Sequence, residues 1–193
     1  MSRGDPFVPT ISLALAGAAL ALFVGAGTPA ALVLDRVAAS SEPWRLITGH
    51  WVHLSWSHLF WDASAFAVLA AVLERRSRTL LLAVIATATA AISAAVVWSM
   101  PEVPAYAGLS GIDAALVAAV AVGMIRAGGT DRTIGAALGL AFAAKIAWEH
   151  QTGSVLFAGE PGVLHATSVH GIGAAAGVVT TASVHWLRGE SST

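Results

Sequence analysis

Six apolar runs, near residues 9–34, 58–73, 79–100, 108–126, 133–149 and 162–187, occupy most of this chain and decide its solvent. A helix needs about 20 apolar residues to cross the hydrocarbon core, and fewer where the bilayer thins or neighbouring helices shelter it. Non-helical backbone at that depth leaves N–H and C=O groups unpaired, so each run is expected to be a helix. Of the 193 residues, 56% are hydrophobic and 11% charged, whereas soluble domains carry about 25% charged residues. The chain therefore reads as an all-α membrane protein, one membrane domain over 1–193 with six transmembrane helices. The first run is longer than the apolar core of a signal peptide, roughly 7–15 residues, and is read as a retained span.

Charge placement sets the orientation. Arg3, Arg75, Arg76, Arg78, Arg126, Arg132 and Arg188 fall on one side of a six-span chain, and only Arg36, Arg45 and Lys145 lie on or near the other. Basic residues favour the cytoplasm, so both termini are expected there. Trp44, Trp51, Trp56, Trp61, Trp98 and Trp148 gather at or near the opposite, outer boundary, the headgroup level that indoles prefer. The polar, tryptophan-rich link 35–57 is expected to lie in that interface. A net charge of −1 leaves no basic face for nucleic acid. With no cysteine there is no disulfide, thiol chemistry or cysteine-based metal site.

Against this apolar background a few polar residues stand out: His58, Asp62, Ser110, Asp113, Lys145 and His170. Ionisable groups at membrane depth are costly and normally face the bundle interior or a water-filled cavity. Spans two, four and six all begin on the outer side. His58 and Asp62 open the second, Ser110 opens the fourth, and His170 lies some 12 Å into the sixth at 1.5 Å per residue. Three helices thus bring polar groups to similar depth. Together they suit acyl transfer, in which His170 would be the base that activates the Ser110 hydroxyl. The free N–H groups of a helix start beside Ser110 would face a developing oxyanion. Gly111 beside the serine, and Gly171, Gly173 and Gly177 after the histidine, would let spans four and six approach closely. Asp113, three residues beyond Ser110, is a candidate to orient His170.

Each of these residues also has a plainer structural reading. Ser110 could be a packing or capping residue, His170 a satisfied histidine among glycines, and Asp113 a hydrogen-bond partner. Lys145 and Glu149, four apart, read as an intrahelical pair. His150, His165 and His185 read as loop or interface residues. His50, His53 and His58 with Asp62 raise the question of zinc, but their spacing matches no strong metal signature. No metal or cofactor is expected.

"WRLITGHWVHLSWSHLFWD" (44–62), "GLSG" (108–111) and "VHGIGAAAG" (169–177) resemble the three signature regions of rhomboid intramembrane serine proteases, in order, over roughly 44–187. "RLITGHWVHLSWSHL" (45–59), "YAGLSG" (106–111) and "AAKIAWEH" (143–150) look most like the rhombosortase branch. The resemblance implies a six-helix bundle in the cell (inner) membrane with its active site toward the outer face. It implies cleavage of membrane-anchored proteins at a C-terminal transmembrane sorting segment, with Ser110 as nucleophile and His170 as general base. His58 and the Ser110 N–H would line the oxyanion hole, His53 and Arg45 would hold the first loop, and Gly173 would pack span six on span four. Asp62 stands where an asparagine usually helps bind the oxyanion, and Ala114 where a ring often packs on the catalytic histidine. An ionised Asp62 would repel an oxyanion, so two arrangements are open: Asp62 stays protonated and donates as a neutral acid, or, the preferred reading, it turns toward His58, four residues earlier on the same face. The alternative to a protease is an inactive rhomboid-like protein that binds membrane clients without cutting them.

Overall fold

The computed structural model describes residues 7–27, 29–154, 167–187 and 189. Its main helices are α1 (Thr10–Ala26), α2 (Arg45–Thr48), α3 (Trp56–Arg76), α4 (Arg78–Trp98), α5 (Ser110–Ala127), α6 (Gly129–Thr152) and α7 (Thr167–Leu187). A two-residue antiparallel bridge joins β1 (Leu34–Asp35) to β2 (Ala105–Tyr106). The chain is a mostly helical membrane protein: α3, α4 and α5 are long and apolar enough to span a bilayer, and α1 is apolar but shorter.

Helix boundaries follow local chemistry. The Ser55 hydroxyl accepts the His58 N–H at 3.1 Å and starts α3, and Ser77 does the same for Leu80 at 3.2 Å to start α4. Such side-chain caps satisfy N–H groups that the helix itself leaves free. The first apolar run, expected to be helical to residue 34, stops at Ala26. Gly27 takes a positive φ of 65°, and its N–H closes onto Phe23. The apolar residues Ala30–Leu34 serve the link instead: the carbonyls of Ala30 and Val33 accept from the Arg45 guanidinium, and Leu34 pairs with Tyr106. The expected start of the last span near 162, and the side chains of Arg3, His165 and Arg188, lie outside the described residues.

At its first turn α1 is fastened to α3. The buried Glu74 carboxylate accepts the N–H groups of Ile11 and Ser12 at 3.1 and 2.9 Å and the Ser12 hydroxyl at 2.7 Å. The centre of the bundle is α5, which packs against α3, α4, α6 and α7, and every residue from Gly111 to Leu116 is buried. Its tightest neighbour is α7. A Cβ on Gly173 would lie 2.0 Å from the Gly111 carbonyl oxygen, and one on Gly177 would lie 2.1 Å from that of Ala115. The two backbones touch, an approach that only glycine permits.

The link 35–57 crosses the end of the bundle where α3 and α5 begin. Arg45 pins it through the Ala30 and Val33 carbonyls and a pair with Glu42. The Gly49 carbonyl accepts the Gly108 N–H at 3.0 Å, tying the link to the segment that enters α5.

Candidate active site

Ser110 is the first residue of α5, so the N–H groups around it have no partner within the helix. Side chains supply those partners. Asp62 Oδ2 accepts the N–H groups of Leu109 at 2.9 Å and Ser110 at 3.1 Å. The Tyr106 hydroxyl accepts the Gly111 N–H at 3.2 Å and donates to the Gly108 carbonyl at 2.9 Å. The Ser110 hydroxyl is a further hydrogen-bond neighbour of Tyr106, and burial pushes the Tyr106 phenol well above its ordinary pKa. Gly108 enters this turn at φ 115°, and a Cβ there would lie 2.5 Å from His58 Nε2 and 2.9 Å from Asp62 Oδ2. Glycine is required both by the backbone and by the space.

Asp62 is the hub of a buried cluster. Its Oδ2 lies 3.2 Å from His58 Nε2 and 3.5 Å from His53 Nε2, and the two imidazoles meet edge to face at 5.1 Å. His58 Nδ1 accepts the Leu54 N–H at 3.4 Å, which assigns the proton of neutral His58 to Nε2, the nitrogen facing Asp62. The carboxylate thus reaches His58 and also takes up the Ser110 N–H.

His50 turns elsewhere. Its Nε2 lies 3.0 Å from the hydroxyl of Ser93 on α4, and that hydroxyl donates its own proton to the Leu46 carbonyl at 2.6 Å. His50 must therefore donate from Nε2, and its Nδ1 is left without a partner among the described residues. Burial lowers its pKa to about 4. His50 faces Ser93 while His53 and His58 face Asp62, so the three histidines do not converge on one metal-binding point.

His170 lies one turn before Gly173 on α7, and Gly173 packs on the carbonyl of Gly111, the residue after Ser110. The neighbouring side chain, Val169, also fits against Gly111. The α5–α7 contact therefore places Ser110 and His170 at the same end of the bundle. His170 is buried, with Nδ1 2.8 Å from Glu149 Oε2 on α6. The other oxygen of Glu149 accepts Lys145 Nζ at 2.6 Å, and the Glu149 side chain is fully buried.

Asp113 does not hold the orienting place considered for it. It is buried on α5 with Oδ1 lacking a hydrogen-bond partner among the described residues, while Glu149 meets Nδ1 of His170. The α7-facing stripe of α5 runs through Gly111, Ala114 and Ala115 and leaves Asp113 to one side. That stripe also accounts for Ala114, since α7 passes too close for a ring. The Lys145–Glu149 pair is present, but its second arm to His170 was missed by a reading confined to one helix. The usable signal was a glutamate at membrane depth, near the same boundary as an unexplained histidine.

A family model described as the rhomboid domain matches residues 40–187, which takes in every residue of this site. No curated protein matches the chain.

Proposed function

Because this chain belongs to the rhomboid family, whose members are intramembrane serine proteases, we propose that it cleaves membrane-anchored proteins with Ser110 and His170. The Ser110 hydroxyl attacks the scissile carbonyl while His170 Nε2 takes its proton, and the same histidine then protonates the departing amine. Water then attacks the acyl carbon while giving a proton to His170, and His170 passes that proton to the departing Ser110 oxygen, which frees the carboxylic acid and restores both residues. The Ser110 N–H and His58 Nε2–H receive the oxyanion, with the N-terminal dipole of α5 behind them. Gly111 and Gly173 hold the two helices together, and Arg45 and His53 anchor the link over the site. No metal or organic cofactor enters these steps.

The reading extends to six spans in one domain, with α1 and α3–α7 crossing the inner membrane and both termini cytoplasmic. The site then opens toward the outer face. The rhombosortase-like segments point to a C-terminal transmembrane sorting tail as the substrate. The carrying observation is the delivery of His58 and Asp62 by α3, Ser110 by α5 and His170 by α7 to one end of the bundle.

A test is labelling of the detergent-solubilised protein with a fluorophosphonate, alongside cleavage of a co-expressed substrate carrying a sorting tail. Loss of both in Ser110→Ala supports the reading, and equal cleavage by that variant sinks it. A second reading, a non-cleaving client binder, draws on the Asp62 carboxylate that occupies the Ser110 N–H. Stoichiometric labelling of Ser110 would remove that alternative.

A further inference from the structure

We propose that Glu149 is a positioning residue for His170, fixing which imidazole nitrogen carries the proton and which is offered to Ser110. This rests on the reading that Ser110 and His170 perform cleavage, and extends it from two residues to a Ser110–His170–Glu149 set steadied by Lys145.

The first support is the contact itself: Glu149 Oε2 stands 2.8 Å from His170 Nδ1, with both side chains buried. An ionised carboxylate only accepts hydrogen bonds, so the proton of neutral His170 must sit on Nδ1. Nε2 then carries the lone pair, as a base for a serine hydroxyl requires.

The second support is how Glu149 is held. Each carboxylate oxygen has its own partner, Lys145 Nζ on Oε1 at 2.6 Å and His170 Nδ1 on Oε2 at 2.8 Å. With both oxygens engaged, the carboxylate plane cannot rotate without breaking a contact. Burying a carboxylate is costly unless it is paired and hydrogen-bonded. A packing strut between α6 and α7 would be met by an apolar side chain without that cost. The ionic pair makes sense where it has a histidine to direct.

The third support is the emptiness of the alternative. Asp113, the carboxylate nearest Ser110 in sequence on α5, leaves its Oδ1 without a hydrogen-bond partner among the described residues, and Ala114 offers no ring to pack on the imidazole. Orientation of His170 falls to α6. The chain order Ser110, Glu149, His170 is that of α/β-hydrolase triads, which sit on an unrelated fold, so the likeness is one of geometry and role.

The experiment compares Glu149→Gln with the parent in one detergent and with one substrate. Glutamine keeps the shape, but its amide either accepts from Nδ1 or donates to it, so the tautomer is no longer imposed. The expected result is a fall in kcat of about 10²-fold or more, toward the roughly 10⁴-fold lost when the corresponding aspartate of soluble triads becomes asparagine, with KM within about twofold. Nitrogen-15 spectra of histidine-labelled protein should show the Nδ1–H tautomer of His170 in the parent and a loss of that preference in Glu149→Gln. A purely structural strut would lower thermal stability and the yield of active protein without moving the tautomer. An unchanged kcat, or an Nε2–H tautomer in the parent, overturns the proposal, and the parent spectrum decides even if the variant does not fold. Fluorophosphonate labelling that persists at the parental rate in His170→Ala would instead overturn the underlying Ser110–His170 reading. If labelling needs both residues and Glu149→Gln labels like the parent, only the role of Glu149 falls.

Discussion

Asp62 Oδ2 accepts the backbone N–H of Ser110 at 3.1 Å, and the same oxygen faces His58 Nε2 at 3.2 Å. The two donors that the proposed mechanism offers to an oxyanion at Ser110 therefore converge on a side chain of the protein itself. A substrate carbonyl must displace that oxygen to use them. Replacing Asp62 by asparagine substitutes a neutral acceptor for a charge-assisted one, which holds an N–H about half as strongly. It also supplies an NH2 group that can donate to the oxyanion. Asp62→Asn is accordingly expected to label with fluorophosphonate roughly fivefold faster, corresponding to about 1 kcal/mol of relieved hydrogen bonding. Slower labelling would mean that the carboxylate aligns the donors rather than competing for them.

Ser110→Ala and His170→Ala are each expected to abolish cleavage of a co-expressed substrate while leaving the protein inserted in the membrane. The double variant should lose little more than either single one, because residues acting as a unit are not additive. Quantitative immunoblots of product, normalised to membrane-inserted protein, measure both points. Multiplicative losses would separate the two residues into independent roles.

The glycines of α7 should divide sharply. A Cβ at Gly173 would lie 2.0 Å from the Gly111 carbonyl oxygen, whereas one at Gly171 meets nothing within 4 Å. Gly173→Ala must push α7 off α5, at a cost of roughly 1–3 kcal/mol or more for an overpacked contact. A lower melting temperature and loss of Ser110 labelling are expected together. Gly171→Ala should melt within a few degrees of the parent, and an equal loss there would refute the seam as the cause.

His50 supplies a pH dependence of stability. Its pKa is lowered by burial from 6.5 to about 4 in the folded protein, so between those values the unfolded chain binds more protons. Stability is then complete above about pH 6.5 and declines as pH falls toward 4, by at most about 3 kcal/mol. Melting in detergent across that range should show the decline, and His50→Gln should flatten it even if it also lowers the plateau through the Ser93 contact. An identical slope in the variant would assign the acid sensitivity to other groups.

What the sequence revealed of the fold was what depends on near neighbours. Long apolar runs announce helices in lipid because the backbone there has no other partner, and Ser55 and Ser77 cap the helices that follow them. Ser110 at a helix start, and a histidine ahead of close-packing glycines, were legible for the same reason. Contacts across the bundle were not. Glu149 meets His170 across 21 residues and Asp62 meets Ser110 across 48, and neither distance leaves a periodic trace. Asp113 misled because proximity along α5 says nothing of which face α7 covers. The end of α1 was misplaced because Ala30 to Leu34 are apolar for the sake of the link and its Arg45 anchor.

The contact of Gly173 and Gly177 with the α5 backbone has a consequence for life in different lipids. Helices joined through long side chains can slide or splay as acyl chains shorten, because those side chains repack. Here carbonyl oxygens meet α-carbons, and no flexible atoms lie between them to take up the change. A thinner bilayer tilts helices to match its thickness, and α5 and α7 would have to tilt as one body. In the proposed six-span arrangement the spacing of Ser110 and His170 would thereby be uncoupled from the thickness of the membrane around it, and lipid composition would be left to act on how deeply a substrate helix sits.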